Sequence, residues 1–176
     1  DHGGGHGGGH GGGCPSQRFA RLGPPAATPA AHGITAPHSS AGSSAVSELG
    51  QWPVQLRLLP PRAPVFQNAD LLLTADCVPF AMADFHSVLR GHALAIACPK
   101  LDDTSSYVPK LAEIITANQL RGITVVHMEV PCCTGILMMA LQAREAAGVD
   151  VPIAEIIVSI RGDVLQRRAL PGLVTV

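Results

Sequence analysis

"ITVVHMEVPCCTGILMMALQAREAAG", residues 123–148, holds the transition that decides the fold. Its opening run, "ITVVHMEV", is apolar on both alternating sets of positions, as a strand covered on both faces should be. Pro131 then interrupts, and from Thr134 the apolar spacing changes to that of a helix. Leu137, Met138 and Leu141 are expected inward, Gln142, Arg144 and Glu145 outward, with Gly148 closing the C-terminal end. Two adjacent cysteines, Cys132 and Cys133, stand at the turn between the two elements.

Outward from this unit the same rhythm recurs. "ADLLLTADC" reads as a strand, "FAMADFHSVLRG" as a short helix closed by Gly91, and "HALAIACP" as a second strand. "SSYVPKLAEIITANQLRG" predicts a helix capped by Ser106, with Pro109 tolerable in its first turn and Val108, Leu111 and Ile115 as its apolar stripe before Gly122. "AEIIVSI" is a further strand, and Arg167 and Arg168 in the tail read as solvated surface. Upstream, Val54, Leu56 and Leu58 alternate with polar residues, which suits a half-buried strand that Pro53, Pro60 and Pro61 confine to an edge or an extended segment, and Trp52 reads as a packing anchor. Apolar strands alternating with helices predict an α/β fold: a small three-layer sandwich with a mostly parallel sheet of four to five strands over residues 51–176.

Residues 1–50 are different. "DHGGGHGGGHGGG" sets His2, His6 and His10 at a period of four in glycine, and the following stretch is rich in Ala, Pro, Gly and Ser, so the whole is expected to be a flexible low-complexity linker. The histidines could chelate a transition metal, although flexible ligands make weak sites. Residue 1 is Asp rather than Met, so the chain is expected to begin inside a longer product.

Composition narrows the function. Net charge is −1 and only 14% of residues are charged, so the basic stripe of a nucleic-acid or membrane-surface binder is missing. Apolar runs are broken well before the ~20 residues of a membrane span. Five cysteines, an odd number, fit a disulfide framework poorly and suggest a reducing, cytoplasmic setting where clustered thiols serve metal or redox chemistry. No G-x-S-x-G, P-loop or H-E-x-x-H occurs, and the N-terminal glycines neither follow a strand nor open a helix. The residues therefore make no case for autonomous catalysis.

The topology itself aligns the thiols. Cys77 and Cys98 end the first two strands, Cys132 and Cys133 follow the third, and parallel strands place their C-terminal ends along one edge. Pro79, Pro99 and Pro131 fix the adjoining turns, and a helix start at Cys133 would favour a thiolate. Four soft thiolates suit an iron-sulfur cluster or zinc. Adjacent cysteines reach two corners around one zinc ion with difficulty, whereas a wider cubane offers each a different iron. Simple burial of small apolar thiols and a redox dithiol are the competing readings. Near the cysteines, Lys100 is a candidate charge partner, Asp76, Asp102 and Asp103 read as loop and helix-start residues, and Glu129 could face the same edge. His86, His92 and His127 are not expected to be ligands, although His127 could sit behind the site.

"QWPVQLRLLPPRAPVFQNADLLLTADCVPFAMADFH", "ACPKLDD", "TVVHMEVPCCTG" and "IIVSIRGDVL" resemble the C-terminal domain of a family of small ferredoxin-like iron-sulfur proteins of anaerobic microbes, over about Gln51 to Leu165. The resemblance implies a 4Fe-4S cluster held by Cys77, Cys98, Cys132 and Cys133. "HGGGHGGGCPSQ" resembles that family's His/Gly-rich junction ending in "CPG", which would make Cys14 a fifth candidate. The family's upstream ferredoxin module, with two C-x2-C-x2-C-x3-C-P runs, is missing from this sequence. The expected role is electron transfer or redox sensing, with a redox partner protein or an upstream ferredoxin module as partner. A zinc-stabilised structural or interaction domain with a His-rich metal-binding tail is the alternative. The small subunits of nickel-iron hydrogenases and a cluster-carrying subunit of respiratory complex I are more distantly similar, as α/β domains with cysteines at strand ends.

Overall fold

The computed structural model describes residues 19–23 and 46–172. Strands β1 (Ala20–Arg21) and β2 (Gln51–Trp52) pair antiparallel, and Phe19 and Leu49 pack against the core, so these parts of the expected linker belong to the folded body. The rest of the expected linker lies outside the described residues.

The main sheet is built from β3 (Asp70–Ala75), β4 (His92–Ala97), β5 (Gly122–Met128), β6 (Ile153–Val158) and β7 (Val164–Ala169). Their spatial order is β4-β3-β5-β6-β7, with the first four parallel and β7 antiparallel against β6. The registers are in step: Leu73 lies beside both Ala95 and Val125, and Val126 beside Ile156. Leu71, Leu72, Leu73, Ala95, Val125, Val126 and Val158 are buried without remainder, which is why these strands read as continuously apolar.

Between the strands run α1 (Val78–Ala81), α2 (Phe85–Leu89), α3 (Tyr107–Asn118) and α4 (Thr134–Ala147). α3 and α4 pack against each other on one face. On the other, Phe85 and Leu89 of α2 share an apolar cavity with Leu94 and Ile96 of β4. The expected three-layer α/β sandwich is therefore present, with five strands.

Several local expectations change. Val54–Leu58 lies on the sheet edge as expected but only as a single parallel bridge of Gln55 to Ile96: the Ile96 amide donates to the Val54 carbonyl and the Leu56 amide to the Ile96 carbonyl, and the chain then turns, with Leu58 and Leu59 amides on the Gln55 carbonyl. This short segment covers the outer edge of β4, while Gln51 bonds both the amide and the carbonyl of Leu94. Trp52 is 43% exposed and no buried anchor. The single helix expected after β3 is split, because Met82 is extended between α1 and α2. Ser106 makes no side-chain cap on α3; a preceding 3-10 turn is capped instead by Asp103, whose carboxylate accepts from the Ser105 amide. α3 ends at Gln119, in a left-handed conformation, and Gly122 opens β5.

In α4 the inward stripe is Ile136, Leu137, Met139, Ala140 and Ala143, while Met138 faces out. Arg144 is buried, not outward, and its Nε and Nη1 have no hydrogen-bond partner among the described residues. Arg167 and Arg168 are exposed, as expected, and Arg168 in addition reaches the buried carboxylate of Glu155.

Candidate functional site

Strand order reverses at β3, from which the chain goes to β4 on one side and then to β5 on the other. Open α/β sheets form a crevice at such a point, outside the carboxyl ends of the two diverging strands. Cys77 follows β3 and Cys132 and Cys133 follow β5, so both flanks of the crevice carry thiols. Cys98 follows β4, next along the same edge.

Each thiol is set by its own turn. Cys77 precedes α1, whose first turn contains Pro79, and the Asp76 amide donates to the Ala97 carbonyl, tying this turn to the end of β4. Cys98 sits in a tight loop: its amide donates to Asp102 Oδ2 at 2.9 Å, and the Leu101 and Asp102 amides return to its carbonyl. The Tyr107 hydroxyl donates to the same Asp102 oxygen at 2.8 Å, which anchors the loop to α3. Cys132 and Cys133 lie in a 3-10 turn, Pro131–Cys133, that leads directly into α4.

Gly135 joins the last two turns. A Cβ added there would lie 3.0 Å from Pro99 Cβ, so the Cys98–Pro99 loop presses on the first turn of α4 through the space a side chain would fill. Only a glycine allows so close an approach without displacement. Cys98 is thereby drawn toward the helix that begins beside Cys133.

Burial pushes the Cys133 thiol up to about 11; a hydrogen bond from the Met128 backbone opposes this, and the neighbouring Cys132 and Cys77 sulfurs reinforce it. Cys132 and Cys77 are thus both within electrostatic reach of Cys133. The thiolate expected of Cys133 at a helix start is not favoured by the fold alone, since desolvation outweighs the helix end. Cys77 and Cys132 are exposed and Cys98 is half-buried. Behind the thiols, burial and the nearby Asp102 raise the Asp76 carboxyl, against a hydrogen bond from Gln55. Burial, with Asp102, likewise lifts the Tyr107 phenol well above its usual range.

The other candidates have separate duties. His86 Nδ1 accepts from the Glu48 amide, and His92 lies against the Arg90 carbonyl. His127 is buried between the Met128 carbonyl and Glu155 Oε1, 2.9 Å from each. Both ring nitrogens are used, so His127 does not support a cysteine. Glu129 accepts from the Ile160 amide at 2.9 Å, Asp103 caps its 3-10 turn, and Lys100 is exposed. Cys14, His2, His6 and His10 lie outside the described residues. Among the described residues no three His, Cys, Asp or Glu side chains are grouped as ligands of one metal ion, and no helix is long and apolar enough to cross a membrane.

Sequence reasoning missed two features here. One is the buried His127–Glu155–Arg168 chain, signalled only by a lone Glu in "AEIIVSI". The other is a set of exposed apolar side chains on the thiol edge, Phe80, Leu101 and Ile160, each following a strand end.

Comparison with known proteins agrees with the α/β fold. A family described as a Rossmann-like domain matches residues 63–173. The chain belongs to that family. An uncharacterized protein of Archaeoglobus fulgidus is 29% identical over 119 residues, which cover 68% of this chain and 84% of that protein. No solved structure matches the chain. Within a Rossmann-like domain the crevice at the strand reversal ordinarily receives a ligand. The turns that border it in this chain carry Cys77, Cys132 and Cys133.

Proposed function

We propose that this Rossmann-like domain holds a 4Fe-4S cluster at the reversal crevice through Cys77, Cys98, Cys132 and Cys133, with Cys14 as a fifth candidate ligand, and works as an electron carrier or redox sensor. The observation that carries this reading is that three adjacent parallel strands end in thiol-bearing turns, the Cys98 and Cys133 turns meeting at the Pro99–Gly135 contact and the Cys77 turn tied to the end of β4 by the Asp76 amide. The donor set suits the group: thiols dominate, and two of them open to solvent where a cluster could be inserted.

The bound cluster would supply reversible one-electron chemistry. The chain's own residues would orient the ligands: Asp102 holds the Cys98 loop by its amide, Tyr107 holds Asp102, and Pro131 sets the turn of the adjacent pair. Binding would also have to overcome the upward push on the Cys133 thiol, which a metal's positive charge is suited to do. Metal loading should therefore release protons.

Anaerobic reconstitution with iron and sulfide tests the proposal. A brown protein with about four irons per chain, losing iron in Cys77→Ser, Cys98→Ser and Cys132→Ser variants, is the expected result. A colourless, iron-free protein would sink it, and one tightly held zinc lost with Cys132→Ser would assign the thiols to a structural site instead.

A further inference from the structure

The same edge carries an unusual amount of uncovered apolar surface. Phe80, in α1, is 93% exposed, Leu101, in the loop after β4, 84%, and Ile160, in the turn after β6, 69%. Each stands in the turn or helix that follows a strand end, so all three belong to the edge where the thiols lie. The spread is small: β4 to β6 are three strand spacings apart, about 15 Å.

The turn bearing Ile160 is held toward this edge. The Ile160 amide donates to Glu129, just after β5, and Gly162 lies so close to α1 that a Cβ there would be 2.1 Å from the Ala81 carbonyl oxygen. Phe80 also borders a cavity of about 310 Å³ with Trp52, Phe85, Leu94 and Ile96, which reaches Asp76 beside Cys77. Its lining is mostly apolar and its size suits one large side chain.

Charge surrounds these apolar groups. Asp76, Asp84, Asp102, Asp103, Glu129 and Asp163 belong to the strand ends and turns of this edge, against Arg57, Lys100, Lys110 and Arg161, an acidic excess of two in a chain whose overall charge is −1. A self-complementary dimer across this face would set like charges together, a repulsive arrangement.

We propose that the Phe80–Leu101–Ile160 face is a docking surface for a protein that presents an apolar centre ringed by basic side chains, one apolar side chain entering the cavity under Phe80. That the partner is a redox protein rests on the cluster reading; the fit of the surface does not. The apolar centre supplies contact area, the acidic rim steers encounter, and the thiol edge comes within a short distance of whatever the partner carries at its centre.

Cytochrome c, a basic haem protein whose apolar haem edge is ringed by lysines, is a suitable probe, with binding measured on both iron-free and iron-loaded protein. Hydrogen exchange should show protection confined to residues around Phe80, Leu101 and Ile160. The dissociation constant should rise at least about tenfold from low to physiological salt, and by about tenfold or more in the Phe80→Ser/Leu101→Ser double variant. Val149→Ser, beyond the C-terminal end of α4, should change nothing. Both substituted side chains are exposed, so circular dichroism should match the parent. Absent binding, a footprint elsewhere, or equal affinity in the double variant overturns the proposal, and so does self-association abolished by that variant. Docking that persists on a protein unable to hold iron would leave this surface standing and remove the cluster reading.

Discussion

Glu155 is a carboxylate in the middle of a strand, with its side chain 2% exposed. Burial pushes its pKa up, but hydrogen bonds from His127 and Arg168, and their charges, outweigh this and hold the carboxyl below the usual glutamate range. A group with a lowered folded pKa stabilises the fold fully above its unfolded value, about 4.3, and loses that contribution as pH falls through the folded value. Glu155→Gln should therefore cost about 3 kcal/mol near neutral pH. In denaturant titrations the gap from the parent should narrow well below pH 4; a gap independent of pH would show that the ionised form contributes nothing. The lone Glu in "AEIIVSI" was its only sign in the sequence, since its members are far apart and Arg168 sits in a strand with all six residues exposed.

At the scale of elements, the contact between α4 and the loop after β4 sets how closely the Cys98 loop approaches the turn of Cys133. Alanine for Gly135 would gain up to about 1 kcal/mol of helix propensity. Against this, its Cβ would press on Pro99, whose ring cannot bend and whose loop is held by Asp102 and Tyr107. The clash should win: Gly135→Ala is expected to destabilise the protein by about 1–2 kcal/mol and, on the proposed cluster reading, to impair iron uptake. Adding Pro99→Ala should restore most of both. A lowered stability unaffected by the second change would mean that Gly135 matters for its backbone alone.

Elements were legible to different degrees. β3 to β6, α3 and α4 were readable because double-sided burial and helical spacing leave clear patterns. α1 and α2 were not separable, since Met82 looks like helix until its extended backbone is seen. β7 was invisible because an exposed edge strand carries no apolar alternation, and it is defined by its partner β6. Arg144 was misplaced because a charged residue on a helix is ordinarily solvated.

Whole-molecule packing makes the four thiols unequal. Cys77 and Cys132 are exposed, while Cys133 is buried with its thiol pushed up to about 11. In the native metal-free protein near pH 8, iodoacetamide should modify Cys133 at least about tenfold more slowly than Cys132, and denaturant should erase the difference. Equal native rates would show that Cys133 is not enclosed.

The sequence alone determined that strands and helices alternate, that the sheet is mostly parallel, and that cysteines end three strands, because burial on both faces and chain direction leave local signs. Tertiary structure decided what those signs could not carry. It set the strand order that puts Cys77 opposite Cys132 and Cys133, the glycine-to-proline contact that brings in Cys98, and the burial that distinguishes Cys133. It also exposed three apolar side chains beside them. These depend on which distant segments meet, and a residue's accessibility and ionisation follow from the neighbours it acquires in space.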